Sequence, residues 1–117
     1  MLTFSLPIAP SSNNAWMNRK AGRGYGRIKS ANYRNWVKQA DAYYTLQCLG
    51  NAAPIRGPYT CRMVFPQMRG DLDSRAKLIL DWIVSRGLTS DDKFLQNLEL
   101  KKDSDHHGLV WITVKHA

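Results

Sequence analysis

The sequence predicts an α+β domain in the order β-α-β-α-β-β, with helices packed on a mixed sheet. Three observations carry the prediction. A chain of 117 residues, 44% hydrophobic and 22% charged, is sized and composed for one globular core, so residues 1–117 are read as a single domain. Short alternating or apolar runs fall at Leu2–Leu6, Tyr59–Phe65, Phe94–Leu100 and Leu109–Val114. Between them lie two stretches whose apolar residues recur at helical spacing.

Leu2-Thr3-Phe4-Ser5-Leu6 alternates and stops at Pro7, which marks a first strand. Residues 10–29 are rich in Ser, Asn, Gly and Arg, with Gly22, Gly24 and Gly26 on alternate positions, and read as a long flexible loop. Loops of that length in compact domains are usually functional or disordered. Ser30 is placed to cap a helix running to about Leu49 and closed by Gly50. Tyr33, Val37, Ala40, Tyr44 and Leu46 form its apolar side, with Trp36 and Tyr43 as a second stripe.

After a turn at Gly57-Pro58, Tyr59–Phe65 is the second strand. Leu72, Ala76, Ile79, Leu80 and Ile83 repeat at three and four, an amphipathic helix that stops at Gly87. Leu78 and Trp82 form a stripe off its main core face, open to packing or to a subunit contact. Phe94–Leu100 and Leu109–Val114 are the last strands, read as a hairpin joined through Lys101–Gly108. Trp111 alternates with apolar neighbours and reads as core rather than base-stacking.

No apolar run approaches the ~20 residues of a membrane helix. The start, Met1 to Pro7, has neither a basic segment nor a cleavable apolar core, so a soluble, cytoplasmic chain is expected. Cys48 and Cys61 lack metal-ligand spacing and read as reduced packing residues. Lys+Arg 17 against Asp+Glu 9 gives a net charge of +8, and the pI is near 9.8. Such an excess attracts polyanions, nucleic acid foremost.

The distribution of charge says more than its total. Met1 to Ala40 holds no acid but carries Arg19, Lys20, Arg23, Arg27, Lys29, Arg34 and Lys38. Trp16 and Tyr25 stand among these bases, a mixture suited to phosphates and unstacked nucleotides; for Trp16 an anchor holding the loop on the domain is an equal reading. The acids cluster instead at Asp71, Asp73, Asp81, Asp91 and Asp92. Asp71 and Asp73 are one residue apart where a strand gives way to a helix, so both are expected on one face while Leu72 turns inward. Lys77 follows one helical turn later. The second helix ends at Gly87, and its return is expected to bring Asp91 and Asp92 back to Asp71 and Asp73.

Converging carboxylates suit a hard divalent cation such as magnesium, which can polarise a phosphodiester and activate water. Lys77 is suited to stabilising developing negative charge. The plainer reading makes Asp71 a turn residue, Asp73 a helix cap and Asp91-Asp92 a solvated loop; a second acidic pair, a lysine at one turn and a basic background favour the site. Asp81, four residues after Lys77, reads as its ion-pair partner on the helix. His106 and His107 point apart on a polar loop, and His116 is terminal.

Asp71-Leu72-Asp73, Lys77, Asp81 and the Asp91-Asp92 pair after Gly87 resemble the signature of the RusA-type Holliday junction resolvases. Upstream, Pro10-Ser11-Ser12-Asn13-Asn14 is similar to the loop after that family's first strand, and Tyr33-Arg34 to the start of its first helix, so the resemblance covers nearly the whole chain. It implies a homodimeric, magnesium-dependent endodeoxyribonuclease, with Mn2+ a possible substitute, that resolves four-way junctions by paired symmetric nicks in DNA recombination and repair. Under it Asp71, Asp73 and Asp92 bind metal, and these three with Lys77 are catalytic. Asn14, Arg19, Lys20, Arg23, Arg27, Lys29 and Arg69 contact DNA, and no small-molecule cofactor is needed. Ser74 stands where the family usually has Asn, and Met68 and Gly70 interrupt its basic run, leaving Arg69 as the adjacent base. The competing expectation is a non-catalytic nucleic-acid-binding module of a phage or replication assembly, its aspartates serving as caps and turns.

Overall fold

The computed structural model describes residues 1–11, 16–21, 24–47, 53–103 and 108–117, with the backbone alone for residues 16–21 and 24–29. The elements run β1 (Leu2–Pro7), β2 (Trp16–Ala21), β3 (Gly24–Lys29), α1 (Ala31–Leu46), β4 (Tyr59–Pro66), α2 (Leu72–Ser85), a 3-10 turn (Asp92–Phe94), β5 (Leu95–Asp103) and β6 (Leu109–His116). The main sheet has the order β1-β6-β4-β5. β6 is antiparallel to both neighbours and β4 is parallel to β5, so the α+β class and the mixed sheet hold. Among the described residues no helix is long and apolar enough to cross a membrane.

Two expectations about connectivity do not hold. Residues 10–29 were to be a flexible loop, but β2 and β3 pair antiparallel from Trp16↔Lys29 to Ala21↔Gly24, a two-stranded sheet of its own. The glycines read as loop markers sit partly inside β3; the Gly22-Arg23 step between six-residue runs was the hairpin signal. Nor do β5 and β6 form a hairpin. β6 lies between β1 and β4, with Thr113 opposite both Thr3 and Arg62. Its Val110, Ile112 and Val114 are fully buried, whereas Leu98 and Leu100 of β5 are only half-buried, so the most β-prone run takes the centre and β5 the edge.

The helical elements follow local chemistry more closely. Ser30 caps α1, its Oγ accepting from the Tyr33 amide at 3.2 Å. Tyr33, Trp36, Ala40 and Tyr44 are the buried face of α1. The helix ends at Leu46 rather than near Leu49, with Gln47 as its C-cap; Cys48 lies outside the described residues. α2 ends where expected, Gly87 taking φ 80°.

Leu78 and Trp82 are not a spare face. Both are buried, Leu78 fully and Trp82 to 2% exposure, and Trp82 packs on Phe4 of β1 and Tyr44 of α1. The Phe4, Tyr44 and Trp82 rings meet at 5.4–5.8 Å between centroids. Trp82 Nε1 donates to Asp41 Oδ1 of α1 at 3.0 Å, and Arg86 reaches the same oxygen at 3.1 Å. Trp111, expected in the core, is 41% exposed. Strand alternation sends Val110, Ile112 and Val114 into the core and Trp111 to the opposite face.

Candidate functional site

β1 and β4 both run antiparallel to β6, and β5 is parallel to β4, so the carboxyl ends of all three point one way. The Asp71 motif begins at that end. Gly70 takes φ 99°, a left-handed turn a side chain would strain, and it delivers the chain into α2. Lys102, at the carboxyl end of β5, donates from Nζ to the carbonyls of Met68 at 3.0 Å and Gly70 at 3.4 Å. Neutralising carbonyls with an ammonium holds this turn in place, and sequence reading gave Lys102 no part in it.

Only Asp71 is extended, with φ −80° and ψ 135°; Asp73 already lies in the first turn of α2. Leu72 between them packs against the core, which leaves both carboxylates exposed as anticipated. Asp71 occupies the N-cap position yet makes no side-chain capping bond, and Asp73, the helix cap of the plainer reading, lies inside the first turn instead. Among the described residues neither carboxylate accepts a hydrogen bond from a protein donor. Lys77 is exposed on the next turn and enters no ion pair of the described residues, so the expected Lys77–Asp81 pair is not made. Asp81 instead lies near Tyr33, whose phenol is pushed up by burial and by that carboxylate.

Asp91 and Asp92 do not join them. α2 runs back from the carboxyl to the amino end of the parallel strands, where Ile55 bridges Thr89 and Tyr59 pairs with Leu95. The 14 residues of α2 span about 21 Å, and the two acidic pairs stand at its opposite ends. The expectation that Asp92 returns to Asp71 and Asp73 therefore fails within one chain; a helix between parallel strands carries the chain to the far end. Consistently, among the described residues no group of three or more His, Cys, Asp or Glu gathers for a metal. Asp91 caps the 3-10 turn, and its carboxyl is lowered chiefly by the Lys93 amide it accepts from at 3.1 Å. Asp92 is raised, mainly because its carboxyl shares a hydrogen bond with Asp91. Tyr59 beside them is raised by burial first, with both carboxylates adding.

Arg69 is exposed next to the motif. Arg19 and Lys20 fall on β2, Arg27 and Lys29 on β3. Asn14 and Arg23 lie outside the described residues, as do His106 and His107. A residue missed by sequence reading stands inside the motif. Arg75, on the first turn of α2, pairs with neither Asp71 nor Asp73 but donates from Nη1 to the Ala9 carbonyl at 2.6 Å. This bond ties the start of α2 to the segment leading from β1 toward the basic β2–β3 arm. The only signal in the sequence was an arginine four residues after Asp71, which helix spacing alone reads as an ion pair. No family model matches the chain, and no curated protein matches it significantly.

Proposed function

We propose that the chain is a magnesium-dependent, structure-selective endodeoxyribonuclease of the RusA type, acting on four-way DNA junctions as a homodimer. The start of α2 carries the reading: two exposed carboxylates, Asp71 making no capping bond, with Lys77 one turn beyond. Oxygen donors without protein partners fit Mg2+, which is usually held by one or two carboxylates plus water and substrate phosphate. Asp71 and Asp73 would hold it, or Mn2+ in its place, and the ion when bound supplies polarisation of the phosphodiester and a more acidic water. Lys77 places an ammonium where charge builds on the phosphate oxygens. The net charge of +8 and the arginines and lysines of the arm supply attraction to the DNA backbone. With Asp92 held far away in its own chain, it can complete the ligand set only as Asp92 of the partner subunit.

The experiment is a nicking assay on a four-way junction and a linear duplex of equal sequence, with and without Mg2+. Junction-selective, Mg2+-dependent nicking is expected. A second reading, the non-catalytic nucleic-acid-binding module, is favoured by the distance between the two acidic pairs. It predicts junction binding with no nicking at any Mg2+ concentration.

A further inference from the structure

A cavity of about 350 Å3 opens between the amino-terminal half of α1, the end of β1 and Arg75. Its polar lining comes from Asn32, Asn35 and Gln39, on one side of α1, and from Arg75, with Ala9 and Pro10 as part of its wall. Among the described residues no carboxylate contributes to it. Arg75 carries five N–H donors, and among the described residues Nη1 is engaged by the Ala9 carbonyl. Its Nε is shut off from solvent with no acceptor among the described residues, on the edge of the guanidinium that lies against Gly70. An oxyanion in the cavity offers acceptors to the terminal N–H groups of the guanidinium, the planar fork that matches a phosphate.

From this cluster we infer that the cavity binds a backbone phosphodiester of the DNA strand, held by the guanidinium of Arg75 and the side-chain amides of Asn32, Asn35 and Gln39. The identity of that strand rests on the nuclease reading above. Arg75 is turned away from Asp73 but follows Asp71 by one helical turn, so a phosphate seated here holds the strand at the end of α2 that carries the carboxylates. The bound phosphate neighbours the one to be cut and is not itself the reacting group. Arg75 is thus a binding and positioning residue, distinct from the metal-binding aspartates.

The test measures binding of a four-way junction by the full chain in EDTA, where nicking cannot interfere, across a range of salt. Arg75→Gln is expected to reduce the slope of log affinity against log salt by about 1. Because Arg75→Gln also removes the Ala9 bond, Asn35→Asp and Gln39→Glu provide exposed positions that place carboxylates at the cavity without disturbing the core. Each is expected to weaken binding about tenfold, while Ala42→Glu, an equal charge change on an exposed position of α1 outside the cavity, leaves it within about twofold. Equal binding by Asn35→Asp, Gln39→Glu and Ala42→Glu would overturn the inference, even where the native chain nicks junctions with Mg2+. Selective loss of binding in the cavity variants of a chain that never nicks would uphold the inference and defeat the nuclease reading.

Discussion

An aspartate that begins a helix has two ordinary uses, as a cap for the first amides or as a ligand left open to solvent. A capping carboxylate replaced by alanine costs ~0.5–2 kcal/mol, but Asp71 makes no such bond. Asp71→Asn is therefore expected to change stability by less than ~0.5 kcal/mol, as at an ordinary surface position, while abolishing junction nicking and sparing junction binding. Thermal melting beside the nicking assay checks this; a loss of stability above ~1 kcal/mol would make the carboxylate structural. Cys61 illustrates the opposite case, a reactive atom made inert by packing. It is 3% exposed, and burial pushes its thiol up to about 12. At pH 8 the thiolate is then scarce and shielded, so iodoacetamide should leave Cys61 unmodified in the native chain and alkylate it in denaturant, as read by peptide mass mapping.

Secondary elements here are finished by side chains from elsewhere. β1 is an edge of the sheet, and an edge strand presents unpaired backbone groups to any passing strand. Gln47, the C-cap of α1, closes part of that edge. Its Oε1 accepts from the Ser5 amide at 2.8 Å, and its Nε2 donates to the Ser5 carbonyl at 2.8 Å, as a neighbouring strand would. Trp36 Nε1 covers the next outward carbonyl, that of Pro7, at 2.9 Å. Gln47→Ala is expected to cost about 1–3 kcal/mol by stranding both Ser5 groups, measured by denaturant titration, with added self-association visible in light scattering. A change below ~0.5 kcal/mol would show that water replaces the amide without loss.

For the assembled molecule, the distance between the two acidic pairs turns oligomeric state into a question about chemistry. A four-way junction has two-fold symmetry, and an isologous dimer of 13.3 kDa chains would match it. If Asp92 acts across the interface, a dimer of one Asp73→Asn and one Asp92→Asn chain retains one complete centre. Such a mixed dimer is expected to regain a nick in one strand, although each parent homodimer makes none. If Asp92 served its own chain, both centres would carry a lesion and the mixed dimer would stay silent. Sedimentation should give about twice the chain mass; a monomer nicking both strands at full rate would exclude the arrangement.

Local chemistry was enough to place β1, α1, β4 and α2. Ser30, Gly87 and the apolar spacing of α2 act within a few residues, so their effects are written along the chain. The exposed Asp71 and Asp73 were legible for the same reason, because the inward turn of the intervening Leu72 leaves both outside. Which strands became neighbours was not legible. β5 and β6 are adjacent in sequence yet β4 separates them, a choice made by burial of Val110, Ile112 and Val114 in the common core. Alternation along β6 separates Trp111 from Val110, Ile112 and Val114, but only the packing of the sheet decided that the valine–isoleucine face would be the covered one and Trp111 the exposed one. The Asp91–Asp92 pair shows the same limit at the site. Spacing along the chain placed it after a helix, but only the parallel pairing of β4 with β5 sent that helix's far end away from Asp71.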